Sequence, residues 1–265
     1  MVDIGWGNGR ASGESFTFGS SHGPQLAGSL FRPSFSAASG AGRHGVVLAH
    51  GYPGTSPRAA APSYGYPQLA ARLAAETGAV VLTFDFRGTG SSEGEISIPG
   101  WRDDLVAAVQ ALRAATTVER LWLVGFEAGG ALSVCVAAED RSIAGVAAFA
   151  APASLEEHGS GRRPAAPARG AGTKAPPAEG GARARRSKEL DPVALAAALP
   201  PRPLLIVHGA ADEVVPMTDA RALADAAHES AELRILAGAG HRVFHDPRAV
   251  ALLLGWFDRH LGPAP

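Results

Sequence analysis

The chain has 265 residues, a formal net charge of −1 and 46% hydrophobic residues. This length fits one large domain, or one domain with an inserted cap, and the apolar content is enough for a substantial core. The balanced charge gives no electrostatic reason to expect a nucleic-acid or membrane partner. The single cysteine, Cys135, excludes an intrachain disulfide and fits a reducing compartment.

Residues Met1 to Arg10 lack the basic start and the apolar stretch of a signal peptide. No uncharged apolar run reaches the ~20 residues that a membrane-spanning helix needs. We therefore expect a cytoplasmic protein with a small-molecule substrate or ligand. The sequence does not set its oligomeric state.

Eight segments are predicted as strands. The first two are predicted to form an antiparallel hairpin at the sheet edge. Most of the others are continuously apolar and rich in β-branched residues, which is typical of parallel strands covered on both faces. In chain order the predicted strands are 15–18, 25–31, 46–49, 79–84, 121–124, 143–149, 204–207 and 233–236.

Helical patterns lie between and after the later strands, at residues 66–76, 101–115, 128–138, 218–228 and 247–260. Asp191 and Pro192 are predicted to open a further short helix, with the aspartate as its N-cap. Strands that alternate with helices of ten or more residues predict a doubly wound α/β sheet.

One segment breaks the alternation. Residues 159–188 are almost entirely Gly, Ala, Pro, Arg and Lys, with eight basic residues against one acid, Glu179. Such a composition cannot bury enough surface to offset the entropy lost on ordering. Residues 151–190 are therefore predicted to contain a flexible, basic insertion into a single domain spanning 1–265. It is interpreted as a solvated spacer rather than a mobile lid or an anion-binding arm.

The sequence GFEAGG, residues 125–130, joins a predicted strand to a predicted helix. A strand, a glycine-rich turn and a helix form the context of the Gly-x-Ser-x-Gly motif, in which a sharp turn exposes a nucleophilic serine above the sheet. Here Glu127 stands where that serine would be. Because a carboxylate has no hydroxyl, acyl-enzyme chemistry through a serine is excluded at this position.

Four other motifs follow predicted strands. His50-Gly51-Tyr52-Pro53-Gly54 follows the third strand, and the sequence DFRGTGSS at 85–92 follows the fourth. Asp212 lies in the loop 208–216 after the seventh strand, and His241 follows the last strand at the end of GAGH. The turn that carries Glu127 (called the elbow below), an acidic residue and a histidine occur in this order along the chain in the α/β-hydrolase superfamily. Along nearly its whole length the chain resembles a member of that superfamily.

The resemblance implies an α/β-hydrolase fold in which Asp212 accepts the Nδ1 hydrogen of His241, beside Glu127 at the nucleophile position. It also implies an oxyanion-hole loop and a pocket formed by His50, Gly51, Tyr52 and Ala128. The 85–92 turn is structural in that family. No cofactor is implied, and His245 lacks the ligand spacing of a metal site.

Three hypotheses explain Glu127. It is a nucleophile towards small ester-like or electrophilic substrates, as aspartate is in the dehalogenases and epoxide hydrolases of this fold. Alternatively, the protein is non-catalytic and binds a ligand or partner in the old pocket, with Glu127, His241 and Asp212 as a buried ion-pair network. A third hypothesis makes His241 and Asp212 a general-base dyad with Glu127 as an auxiliary acid. Two carboxylates around one imidazole favour imidazolium, by about 4 kcal/mol per pair ~4 Å apart at a dielectric near 20.

The chain departs from both carboxylate-dependent classes. The dehalogenase resemblance calls for a tryptophan after the nucleophile, and this chain has Ala128. Epoxide hydrolases carry ring-opening tyrosines in the cap, whereas all three tyrosines here (Tyr52, Tyr64 and Tyr66) precede the elbow. Glutamate is also one methylene longer than aspartate, so its carboxylate is expected to reach too far unless the surrounding pocket differs.

Overall fold

The computed structural model describes residues 13–19, 23–33, 43–53, 65–155 and 190–261. Its centre is an eight-stranded sheet with the order β1-β2-β4-β3-β5-β6-β7-β8. β1 pairs antiparallel with β2, and β2 pairs antiparallel with β4, whereas all other neighbours are parallel. The strands are β1 (Glu14–Phe18), β2 (Leu26–Phe31), β3 (His44–Ala49), β4 (Val80–Phe84), β5 (Arg120–Phe126), β6 (Ile143–Phe149), β7 (Leu204–Gly209) and β8 (Ala231–Leu236).

Helices cover both faces of the sheet. They are α1 (Tyr66–Thr77), α2 (Ile98–Ala115), α3 (Ala128–Glu139), α4 (Pro192–Ala196), α5 (Met217–Ala227) and α6 (Pro247–His260). One core layer contains side chains of α2, α3, α4 and α5, and the other contains those of α1 and α6. β3, β4, β6 and β7 are buried along almost every residue, which is the physical reason for their continuous apolar sequences.

The predicted α/β-hydrolase fold and its N-terminal antiparallel hairpin are confirmed. The main difference in the helices is the start of α2, which begins at Ile98 rather than at residue 101. A Pro-Gly pair such as Pro99-Gly100 is common in turns, but proline is well tolerated in the first helical turn, and the Ser97 side chain accepts a hydrogen bond from the Gly100 amide. Asp191 caps α4 as predicted, through the Ala194 amide at 3.0 Å.

The predicted insertion falls largely outside the described residues, since 156–189 are not among them. At its start Ala151 and Leu155 are buried against the core layer of α2 to α5. Within the described ranges no helix is both long and apolar enough to cross a membrane.

The parallel strands bring the predicted motifs to one edge of the sheet. Glu127 follows β5, His50 follows β3, and the loops that carry Asp212 and His241 follow β7 and β8. Because the carboxyl ends of parallel strands lie at the same edge, these four residues gather there, and this crevice is where ligands bind in open α/β sheets.

Candidate active site

The turn between β5 and α3 holds Glu127 in a strained backbone conformation. Its φ of 50° and ψ of −121° lie in a region that L-residues rarely adopt. The Glu127 amide donates to the Phe149 carbonyl at 2.8 Å, and its carbonyl accepts from the amides of Gly130 and Ala131 at 2.9 and 3.1 Å. The backbone is therefore fixed by its neighbours, and the half-buried side chain projects from a rigid base.

The glycines of the GFEAGG motif make this turn possible. A Cβ on Gly125 would collide with the Gly129 carbonyl, and a Cβ on Gly129 would collide with the carbonyls of Ala49 and His50. β5, the first turn of α3 and the end of β3 therefore approach more closely than any side chain allows. This close approach brings the loop after β3 next to Glu127.

The Glu127 carboxylate is bound by that loop. The Tyr52 amide donates to Glu127 Oε2 at 2.6 Å, a short charge-assisted hydrogen bond. A Cβ on Gly51 would collide with the same oxygen, so only glycine leaves room for this arrangement. Glutamate's extra methylene is accommodated because the carboxylate folds over Gly51 onto the Tyr52 amide. Ala128, fully buried, begins α3 beside it and directs the amide end of the helix dipole towards the elbow.

The His50 ring stabilises this loop through hydrogen bonds to two backbone groups. Its Nε2 accepts from the Phe86 amide at 3.0 Å, so Nδ1 carries the hydrogen and donates to the Gly51 carbonyl at 2.6 Å. The ring packs edge-on against Phe86 and Trp101. Burial lowers the pKa of His50 to about 4. The neutral imidazole thus joins the loop after β3 to the turn after β4.

We expect this neutral histidine to make the fold acid-sensitive. A histidine in the unfolded chain has a pKa near 6.5. Between pH 6.5 and about 4, His50 therefore binds a proton in the unfolded chain but stays neutral in the folded one. The free energy of unfolding should therefore fall by about 3 kcal/mol from this group as the pH drops through that window. Urea denaturation at a series of pH values measures it. His50→Asn should be less stable at pH 7 and show a shallower slope, and an unchanged slope would contradict the assignment.

Asp212 and His241 form a hydrogen-bonded pair. His241 Nδ1 lies 3.0 Å from Asp212 Oδ2 and 3.2 Å from Oδ1. The Asp212 side chain is fully buried, and its Oδ1 also accepts from the amides of Val214 and Val215 at 2.8 and 2.9 Å. Burial opposes ionisation, but the His241 hydrogen bond and these amides outweigh it and hold the pKa of Asp212 below its usual value.

The charge of Glu127 reaches His241. Burial alone would lower the pKa of His241, but the hydrogen bond and charge of Asp212, with the charge of Glu127, raise it despite the opposing charge of Arg242. The His241 side chain is 24% exposed, whereas Asp212 is closed off from solvent. The imidazole is therefore anchored on its Nδ1 side and remains partly accessible.

Sequence patterns assigned no role to two nearby residues, His208 and Tyr66, or to the phenol of Tyr52. His208 Nε2 donates to the Val215 carbonyl at 3.0 Å and lies 3.5 Å from Asp212 Oδ2. Burial, followed by the charge of Glu127, raises the pKa of Tyr52 to about 12 and also raises the pKa of Tyr66. Both phenols therefore stay protonated near the carboxylate. The only sequence signal for His208 was its place at the end of β7.

The 85–92 turn has the structural arrangement expected of it. The Asp85 carboxylate accepts from the Ser91 amide at 3.0 Å, and Arg87 forms an ion pair with the buried Asp104 at 2.7 Å. Among the described residues no group of three His, Cys, Asp or Glu side chains could hold a metal ion, and that includes His245. Cys135 is buried in α3, where burial raises its pKa to about 12.

Comparison with known proteins agrees with this arrangement of strands and loops. A family model described as the α/β-hydrolase fold matches residues 46–173. The chain therefore has the α/β-hydrolase fold, and the sequence match to that family's model covers just under half of its length. No curated protein matches the sequence significantly.

Many solved structures share the superfamily's fold with this chain. An α/β serine hydrolase without a lid from Xanthomonas campestris, XC6422, is 22% identical with a TM-score of 0.64, over 96% of this chain and 97% of that one. Est1E from Butyrivibrio proteoclasticus, bound to ferulic acid, is 19% identical with a TM-score of 0.67, over 92% and 97%. The Pyrococcus furiosus esterase Pf2001 is 17% identical with a TM-score of 0.64, over 94% and 92%. At these identities the likeness concerns the fold alone.

Proposed function

We propose that this protein is a hydrolase of small ester-like or electrophilic substrates in which Glu127 is the nucleophile and His241, oriented by Asp212, activates water. The observation that carries the proposal is the hydrogen bond from the Tyr52 amide to Glu127 Oε2. It holds one carboxylate oxygen where an acyl oxygen would be stabilised, and we assign the attack to the other oxygen, Oε1. Once esterified, the Glu127 side chain would supply the carbonyl group whose oxygen the Tyr52 amide stabilises.

The chemistry has two steps. Glu127 Oε1 attacks the electrophilic alkyl carbon, which in an ester-like substrate is the carbon on the alkoxy side, the bond from that carbon to the leaving group breaks, and a glutamyl ester forms. Water then attacks the ester carbonyl carbon while His241 takes one of its protons, and the tetrahedral oxyanion develops on Oε2 beside the Tyr52 amide. Collapse of the intermediate releases the alcohol and restores the carboxylate.

Heavy-oxygen water tests the proposal directly. A single turnover in H₂¹⁸O should leave ¹⁸O in the Glu127 carboxylate, because water attacks the ester carbonyl carbon rather than the substrate. Intact-mass and peptide spectra measure the label. The Glu127→Gln variant, which keeps the size of the side chain, should acquire none. Turnover of a substrate without label in wild-type Glu127 would contradict the nucleophile assignment.

The second candidate is a non-catalytic protein that binds a ligand in the pocket beside Glu127 and His241. One observation favours it: the Tyr52 amide that would hold a substrate's carbonyl oxygen is already bound to Glu127. Under this proposal Glu127, His241 and Asp212 form a network that links the loops. A thermal-shift ligand screen on the wild type and on His241→Ala tests it, since binding lost only in the variant would place the ligand beside His241.

A further inference from the structure

A second imidazole, that of His208, lies beside the buried Asp212 carboxylate. The His208 side chain projects from the end of β7 and has no solvent exposure. The preceding strand residues, 204–207, are all apolar and buried, so an apolar side chain would also suit this position. His208 Nε2 lies 3.5 Å from Asp212 Oδ2, the same oxygen that lies 3.0 Å from His241 Nδ1. One carboxylate oxygen is therefore close to a nitrogen of each ring.

The ring hydrogen of His208 is on Nε2. The Val215 carbonyl lies 3.0 Å from Nε2, and a carbonyl oxygen can only accept a hydrogen bond. His208 Nδ1 is buried and has no hydrogen-bond partner among the residues that the structure describes. A buried acceptor without a donor costs free energy that an apolar residue would avoid. The compensating interactions must therefore be those of the Nε2–H group.

These interactions hold the loop that orients Asp212. The carbonyl of Val215 binds His208, and the amide of Val215 donates to Asp212 Oδ1 at 2.9 Å, beside the Val214 amide at 2.8 Å. Val215 therefore connects the ring to one carboxylate oxygen, while the ring itself approaches the other. Because β7 is paired on both sides, with β6 and β8, the ring projects from a fixed strand.

The end of β7 is also joined to the loop that carries His241. A Cβ on Gly209 would lie 2.4 and 2.5 Å from the carbonyl oxygens of Ala239 and Gly240, so the two loops approach closely there. The Ala211 amide donates to the Ala239 carbonyl at 2.9 Å. The spacing of the two loops is thus set by their backbones. What remains to be set is the rotation of the Asp212 carboxylate between them.

We propose that His208 is a positioning residue for the Asp212–His241 pair: its Nε2–H group holds Val215 and faces Asp212 Oδ2, and these contacts aim the carboxylate at His241 Nδ1. Because its side chain is closed off from solvent, His208 acts through Asp212 rather than on a substrate. It would serve the proposed function, on which this inference rests, by keeping Nδ1 of His241 bound while Nε2 of His241 takes a proton from water.

NMR of the wild type, labelled with ¹⁵N in its histidines, tests the hydrogen position. The His208 signals are those that disappear in His208→Gln. Nε2 of His208 should have the chemical shift of a protonated ring nitrogen. An unprotonated Nε2 overturns the inference, because no donor would then hold the Val215 carbonyl.

Two variants with unbranched side chains of similar length separate positioning from packing. His208→Gln and His208→Met both fill the site, but only glutamine supplies an N–H donor for the Val215 carbonyl. The readouts are the downfield Nδ1 proton of His241 and the pKa of His241, both measured by NMR without a substrate. In His208→Met the proton signal should be lost, and the pKa of His241 should fall because the Asp212 carboxylate no longer faces its Nδ1. In His208→Gln both should stay at their wild-type values.

A His241 that titrates identically in the wild type and in both variants overturns the inference, even if His208→Met melts at a lower temperature, since His208 would then be a packing residue only. If His208→Met does not fold, the glutamine variant decides: a wild-type His241 signal supports the donor role, and a changed one overturns it. None of these measurements needs turnover. Absence of ¹⁸O label in Glu127 would therefore contradict the proposed function and leave the role of His208 in orienting Asp212 intact.

Discussion

Glu127→Ser is expected to create an esterase that hydrolyses p-nitrophenyl acetate about 10²–10⁴-fold faster than Glu127→Ala, the range that a positioned general base contributes. Removing the carboxylate frees the Tyr52 amide for the ester's carbonyl oxygen. The new hydroxyl stands on the same strained turn, and His241 and Asp212 keep their hydrogen bond. The scaffold then provides a nucleophile, a base, an orienting acid and an oxyanion donor.

The comparison with Glu127→Ala separates the hydroxyl from the loss of charge, because both variants lack the carboxylate. The esterase rate should rise with pH through the pKa of His241, since the base must be neutral. That pKa should be lower than in the wild type because the charge of Glu127 is gone. A folded serine variant no faster than the alanine variant would mean that His241 does not reach residue 127.

Asp212→Asn should reduce the same esterase activity, measured in the Glu127→Ser background, by about 10⁴-fold. Asparagine keeps an acceptor oxygen for the amides of Val214 and Val215, so the loop should fold. Its NH₂ group, however, faces His241 Nδ1 and favours the tautomer that places the hydrogen on Nε2, where the base must accept a proton. The loss should appear in kcat rather than in KM.

Asp246→Asn is the control for this change. Asp246 is the N-cap of α6 and pairs with Arg248 at 2.6 Å, so its replacement removes a carboxylate without touching His241. It should leave kcat unchanged. If Asp212→Asn lowered the melting temperature by many degrees without a specific loss of kcat in the folded fraction, Asp212 would be a structural residue only.

The fold followed closely from the sequence because continuously apolar strand segments alternate with long helical segments. β6 and α6 have the bounds that the sequence indicated, since a continuous run of small and apolar residues and a capping Asp-Pro pair leave few alternatives. The 3₁₀ turn at Val243–His245 was missed, because three residues carry no period. The start of α2 was missed because proline is common both in turns and in the first turn of a helix. The hydrogen bond that Ser97 makes as N-cap places Pro99 in the helix.

The candidate site could be predicted as a set of residues but not as a set of contacts. Order and spacing placed Glu127, Asp212 and His241 at the same sheet edge. Nothing in the sequence shows where a flexible carboxylate with three torsions will settle, and the expectation that it would reach too far did not foresee its fold over Gly51. The tautomer of His50 also follows from two backbone groups, the carbonyl of the adjacent Gly51 and the amide of Phe86, which is 36 residues away in sequence.

The strained conformation of residue 127 has a consequence for how this protein could change over time. All backbone groups of that residue are held by Phe149, Gly130 and Ala131, so the strain belongs to the turn and not to the glutamate. Any L-residue there costs the fold about 1–3 kcal/mol. Variants with different L-residues at position 127 should therefore differ little in folding stability from backbone strain. Selection for a different reaction can then replace this side chain without unfolding the protein. A scaffold of this kind can lose, keep or replace its reaction by a single substitution while the remaining residues stay in place.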